Sequence, residues 1–278
     1  MLVAESLGYT HAGSSRPALT GIELTLADGE VVGLVGPNDA GKSSLCLVLA
    51  GLAPRVIGGT LQGRVLVDGE DAAALATHRM AVLVGIVLDD PDTQRSGVTR
   101  TVYEEVAFGP SNLAVGRDEL LRRTDAAIEL LGIGHLADRD ARFLSGGQQQ
   151  LVAIASILAM EPRHLVLDEP TARLDPAGTE LVGDALRRLS ESGVSILVAE
   201  HKTDLLAGLA TRVVALDGGR IVLDGPAGQV LADPRLPELG VAPPARVRLE
   251  ARLVDAGLDS TTIREALAPE SRAGSAAG

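Results

Sequence analysis

The stretch Gly36-Pro37-Asn38-Asp39-Ala40-Gly41-Lys42-Ser43 decides how this chain is read. It follows the apolar run Val31 to Val35 and opens the helix-prone run Ser44 to Ala50, so it stands where a strand turns into a helix. There, the spacing G-x4-G-K-S lets successive backbone N–H groups and a helix N-terminus converge on one anion, the phosphate tail of a nucleotide. Lys42 is placed to reach the β- and γ-phosphates. Ser43 offers its hydroxyl to Mg²⁺, an ion that keeps its waters and takes few protein ligands. The rest of the loop, on through Ser44, makes up the candidate nucleotide contacts.

The chain has 278 residues, enough for one large or two small domains, and its 46% hydrophobic content supplies a core. With aromatics at 1% and no Trp, that core is built of Leu, Val, Ile and Ala. A net charge of −12 argues against a sequence-independent grip on nucleic acid, which needs Lys and Arg to neutralise phosphates. An acidic surface suits a basic partner. Cys46 is the only cysteine, so no internal disulfide forms, and its place after the phosphate loop reads as core filler. Apolar stretches such as Leu151 to Met160 fall short of the roughly 18 to 20 residues that span a bilayer. The start, Met1 to Glu5, lacks the basic flank and apolar core of a signal peptide. A cytosolic protein is expected, with any membrane attachment made through a partner.

Leu2 to Leu7, then Ile22, Leu24 and Leu26, read as antiparallel strands. Tyr9 lies between them; its ring either plugs a core edge or stacks on a nucleotide base. Val65 to Val67 with the turn Asp68-Gly69 reads as a strand, and Val82 to Leu88 as the next buried one. From the proline-broken Asp89 to Gln94 onward the pattern turns helical, with Leu120, Leu121, Thr124, Ala127, Ile128 and Leu131 on one face. Ser145-Gly146-Gly147-Gln148 then begins a helix that runs to Met160, a second exposed cluster of backbone N–H groups. One nucleotide does not easily occupy two distant loops of the same chain. If both hold phosphate, the second serves a neighbouring subunit's nucleotide, which implies a dimer.

His164 to Asp168 is an apolar strand ending in two carboxylates and stopped by Pro170. Asp168 is expected to hold Mg²⁺ through its water shell, and Glu169 to accept a proton from the water attacking the γ-phosphate. A helix is expected from Pro176 to about Glu191. Ser195 to Ala199 is another short buried strand, and His201 beyond it is placed to hydrogen-bond a γ-phosphate and sense its loss. Arg212 to Leu223 forms a closing hairpin. A proline-punctuated linker follows, then two short helices over Arg246 to Ala256 and Thr261 to Leu267, and a disordered tail from Ser271 to Gly278.

With these elements in order, the chain resembles the nucleotide-binding subunit of ATP-binding cassette transporters. The matches are the loop Gly36 to Ser43, the signature Leu144 to Gln148, the strand Leu165 to Glu169, the Leu174-Asp175 loop and the switch His201. A finer resemblance, to the ATPases of energy-coupling factor importers for vitamins or for cobalt and nickel, rests on Thr101 to Leu113 and on Pro91 to Gln94. The resemblance implies an α/β P-loop NTPase with a parallel-sheet core, an N-terminal antiparallel β subdomain, a helical insertion and a small C-terminal helical appendage. It implies a cassette over residues 1–230, with the helical subdomain at about 92–160, and a dimerisation appendage with a disordered tail over 231–278. Two cassettes are expected to close head to tail, each ATP lying between one chain's Gly36 to Ser43 and the other's Ser145 to Gln148 and Asp175. Closure drives a transmembrane coupling subunit at the cytoplasmic face of the membrane, and a separate membrane protein captures the substrate. In this family a basic residue of the coupling subunit docks beside the segment after the Val82 to Leu88 strand, where Asp90 and Asp92 are candidate receptors.

Four positions depart from the family's pattern. Asp89 stands where glutamine is usual and is an expected direct metal ligand. Asp39 replaces a usual glycine; aspartate tolerates left-handed backbone. A carboxylate about 4 Å from a phosphate costs on the order of 1 to 4 kcal/mol across dielectrics of 80 to 20, so Asp39 is expected to point outward. Leu151 stands where arginine is common and Arg173 where glycine is common. A partner cassette that binds ATP but hardly turns it over is the alternative that Asp39 and Asp89 leave open. A soluble relative acting on DNA or ribosomes is disfavoured by the charge and by the lack of a long coiled coil or a second cassette.

Overall fold

The computed structural model describes residues 1–259. The helix expected over Thr261 to Leu267 and the tail from Ser271 lie outside the described residues. Burial largely alternates along β1 (Leu2–Thr10) and β2 (Leu19–Leu26), which pair antiparallel from Leu2 opposite Leu26 to Tyr9 opposite Leu19. β3 (Val31–Val35) is buried at every residue and delivers the chain to the phosphate loop, which α1 (Lys42–Leu49) leaves. β4 (Thr60–Val67) returns to the free edge of β1, and β5 (Glu70–Asp71) completes a four-stranded sheet in the order β2-β1-β4-β5.

The expected strand from Val82 begins later. Val82 and Leu83 close α2 (Thr77–Leu83), and only Val84 to Val87 form β6 (Val84–Val87). A short apolar run bounded by no turn residue looks the same to periodicity in either state, and here the burial of Met80 holds the preceding turn helical.

Three helices follow. α3 (Val102–Ser111) starts at a capping box in which Thr101 accepts from the Glu104 N–H and Glu104 accepts from the Thr101 N–H. α4 (Arg117–Leu131) buries Thr124, Ala127, Ile128 and Leu131, a narrower face than the sequence suggests because Leu121 stays exposed. α5 (Gly146–Leu158) packs against both and against the next helix.

β7 (His164–Asp168), α6 (Pro176–Ser190), β8 (Ser195–Ala199), the short α7 (Thr203–Ala207), β9 (Arg212–Asp217) and β10 (Arg220–Pro226) complete the second sheet, in the order β10-β9-β3-β8-β7-β6. All neighbours in it run parallel except the β9-β10 hairpin. Its central strands are apolar at consecutive positions because both faces are covered. Val31, Leu165, Leu167, Ile196 and Val198 face the helices α4, α5 and α6; Val32, Leu34, Val166 and Leu197 face α1 and the antiparallel sheet. The short α8 (Ala227–Val230) and α9 (Arg235–Glu238) follow, and Leu231, Leu236 and Val241 join the main core. α10 (Ala245–Asp255) buries none of its side chains.

Candidate active site

The parallel strands β3, β7 and β8 end side by side, so Gly36 to Ser43, Asp168 and Glu169, and His201 converge beyond their carboxyl ends, where α/β sheets bind ligands. The phosphate loop keeps its curl by backbone means. Gly41 has φ 101°, and a Cβ there would lie 2.6 Å from the Ala18 carbonyl oxygen, so only glycine fits. Asp39 takes the left-handed conformation at φ 63°. It is exposed, yet it lines the cleft rather than standing clear of it.

Lys42 is 4% exposed and its Nζ donates to the carbonyls of Gly36 and Pro37, both at 3.1 Å. The same ammonium lies 3.7 Å from Glu169 Oε1 and 3.3 Å from His201 Nε2, while His201 Nε2 sits 2.8 Å from Glu169 Oε1. Glu169 adopts φ 50°, held by its N–H donating to the Ala199 carbonyl at 2.9 Å. Such a backbone is strained for a residue with a Cβ and is a feature of functional sites. Lys42, Glu169 and His201 thus form one contiguous polar cluster, of which Lys42 and Glu169 line a cleft of about 580 Å³.

Ser43 Oγ donates to Asp168 Oδ1 at 3.1 Å. Burial pushes the Asp168 carboxyl up to about 6; the Ser43 hydroxyl opposes this, and the negative charges of Glu169 and Asp89 add to it. A hydroxyl and a carboxylate within reach of each other, with excess negative charge around them, are the hard oxygen donors that Mg²⁺ prefers. The residues present therefore fit that ion.

Several expected site residues are engaged elsewhere. Tyr9 is 1% exposed, with its hydroxyl donating to the Gly58 carbonyl at 2.7 Å, so it is a core residue and has no face for a base. Its neighbour His11 lines the cleft instead, meeting the Tyr9 ring edge-on at 4.8 Å, with Nε2 2.9 Å from Ser44 Oγ. Arg16 also lines it. No motif marks either residue; both lie in the exposed polar run from His11 to Pro17 between two strands. Asp89 Oδ2 accepts from Arg173 at 3.2 Å, and its negative charge acts on Asp168. Asp90 and Asp92 each already carry an arginine: Arg173 donates to Asp90 at 2.7 Å and Arg95 to Asp92 at 2.6 Å. Gln94 is bound to the end of β6, accepting from the Leu88 N–H at 2.8 Å and donating to the Ile86 carbonyl at 3.0 Å.

The signature lies in another cleft, of about 560 Å³, whose lining shares no residue with the first. Ser145 caps α5, and Gln148 reaches back to the Ser145 N–H at 3.1 Å. Gly147 allows α5 and α6 to meet: a Cβ there would lie 2.9 Å from Gly178 Cα. Asp175 Oδ1 accepts from the Gly178 N–H at 2.7 Å, which makes it the cap of α6. Burial holds the Cys46 thiol well above its ordinary range, in keeping with a packing role.

Residues 19–172 match the ABC transporter family. A Pyrococcus abyssi protein described as an ABC transporter ATP-binding protein is 38% identical over 265 residues, spanning 95% of this chain and 94% of that one. One from Pyrococcus horikoshii is 39% identical over 260 residues, spanning 93% and 91%. A longer relative from Methanosarcina mazei is 38% identical over 252 residues, with 90% of this chain covering 42% of that protein. Among solved structures, cbiO1 of Clostridium perfringens, part of the ABC transporter complex cbiONQ, superposes with a TM-score of 0.76 at 32% identity, covering 92% of this chain and 96% of that one. The dimeric bacterial cassette MJ0796 shares the fold, with a TM-score of 0.68 at 24% identity and coverage of 82% and 99%.

Proposed function

This chain belongs to the ABC transporter family as an ATP-binding ATPase, and from that premise we propose that it energises an energy-coupling factor type importer for a vitamin or a transition-metal ion. The observation that carries the reading is the separation of two anion-binding helix starts, at Lys42 and at Gly146, into clefts that share no residue. Each is half of a site, and two cassettes facing head to tail complete both. Lys42 and the backbone of the phosphate loop bind the triphosphate. Ser43 and Asp168 hold Mg²⁺, which when bound offsets phosphate charge. Glu169 takes the proton of the attacking water, with His201 against it at 2.8 Å. Ser145, Gly146, Gly147, Gln148 and Asp175 meet the facing cassette's nucleotide. The likeness to cbiO1, itself part of a transporter complex, supports the importer assignment.

Among the described residues no helix is long and apolar enough to cross a membrane, so in this reading the chain sits peripherally on the cytoplasmic face, through a transmembrane coupling subunit. A groove of about 270 Å³ between β6, α3 and α5, with the half-exposed Phe108 on its wall, suits that subunit. The unburied helix α10 lies within the dimerisation appendage, 231–278, of this reading. Purifying the chain from native membranes tests the assignment. A multispanning subunit with a small substrate-capture protein is expected; a complex with no membrane protein overturns it. A weakly hydrolysing partner cassette is the second reading, favoured by Asp39 in the cleft and by Asp89 held on Arg173. Equal, negligible ATPase rates of the wild type and E169Q would establish that second reading.

A further inference from the structure

One buried carboxylate beside the site has no part in the chemistry described so far. Glu200 follows β8, precedes His201 and is 1% exposed. Its Oε1 accepts from the backbone N–H of His201 at 2.8 Å and of Lys202 at 3.1 Å. Its Oε2 accepts from the hydroxyl of Thr171 at 2.6 Å. Thr171 is itself buried and stands two residues beyond Glu169, on the loop that leads to Asp175. Lys202 makes a second tie to the same loop, donating to the Thr171 carbonyl at 2.8 Å and to Thr179 Oγ1 at 2.7 Å. The His201 side chain, by contrast, is 40% exposed, so the backbone that Glu200 grips sets where the ring stands.

We propose that Glu200 is a positioning residue for ATP hydrolysis: by binding the backbone of His201 and the hydroxyl of Thr171 together, it holds His201 Nε2 against Glu169. The proposal rests on the reading of Glu169 and His201 as the hydrolytic pair. A carboxylate so enclosed touches no substrate and acts only through His201 and the loop after Glu169. Glutamine at this position keeps an oxygen for the two N–H groups, and its amide faces a hydroxyl able to accept, so it preserves the tie. Alanine removes it.

The test is steady-state ATP turnover of the full-length chain in its native assembly, for E200A, E200Q, H201A and the E200A/H201A double variant, with melting curves to correct for folded fraction. E200A is expected to lower kcat by about tenfold or more with KM within about twofold, and E200Q to return the rate to within about threefold of wild type. In the H201A background, E200A is expected to cost less than about twofold further, since two residues acting as one unit are not additive. A double-variant loss equal to the product of the single losses, or an E200A rate within about threefold of wild type, overturns the proposal. If E200A does not fold, T171V breaks the same tie at its other end; it is expected to lower kcat about threefold or more, and an unchanged rate overturns the proposal. A wild-type rate in H201A contradicts the hydrolytic pair itself and is a separate result.

Discussion

The two clefts of this chain treat charge in opposite ways. In the first, Lys42, Glu169 and His201 lean on one another, Asp168 stands buried beside them, and a triphosphate with its metal would rearrange every partner. In the second, Ser145 and Gln148 satisfy each other and Asp175 caps α6, so the helix start is preformed before any ligand arrives. In the proposed reading, affinity and bond breaking belong to the half where Lys42, Glu169 and Asp168 cluster, and the preformed half serves recognition and closure.

Of the substitutions in the first cleft, E169Q is expected to cost most. E169Q should lower kcat by roughly 10²- to 10⁴-fold, the usual worth of a general base, while MgATP affinity stays near wild type; steady-state hydrolysis and nucleotide titration read the two separately. A comparable loss of affinity would mean that Glu169 binds rather than reacts. K42A should weaken ATP binding by roughly 10- to 100-fold, since a charge-assisted hydrogen bond contributes about 1.5–3 kcal/mol. Titration of a fluorescent nucleotide checks it, and an unchanged Kd would remove the charge from the first half.

Asp168 ties stability to pH. Its carboxyl stands at about 6 in place of 3.8, so the folded chain favours the protonated form. That contribution is complete below about pH 4 and is lost as pH rises through about 6, up to about 3 kcal/mol in all. The nucleotide-free and magnesium-free chain should therefore become less stable across this window, and D168N, which carries no titrating carboxyl, should show a flatter profile. Melting curves between about pH 4 and pH 7 decide it; equal slopes would contradict the burial argument. The smallest effect belongs to the second cleft. S145A removes a helix cap worth about 1 kcal/mol and should leave ATP affinity of the single chain untouched, while weakening ATP-driven association. A direct loss of affinity in the isolated chain would erase the distinction between the halves.

The sheet core was legible because residues buried on both faces of a parallel strand read as unbroken apolar runs, as at Leu165 to Leu167 and Ile196 to Ala199. The converging of Lys42, Asp168, Glu169 and His201 followed from strand ends, which topology brings together whatever the side chains do. Pairings across distance were not legible. Arg173 lies more than eighty positions from Asp89 and Asp90, and no local pattern announces that it occupies both. Tyr9 and His11 are two residues apart on a strand end, and which ring faced the cleft depended on whether the strand continued past Tyr9; it runs to Thr10, which buries Tyr9 and leaves His11 outside. The start of β6 has no local marker because apolar residues run without a break from the end of α2 into the strand.

The most direct test is the mass of the E169Q chain in sedimentation, together with any sister cassette that co-purifies with it, with and without MgATP. Two half-sites closing on shared nucleotide predict a two-cassette particle that forms with MgATP and falls apart when the nucleotide is removed. A single-cassette particle at saturating MgATP would contradict the account.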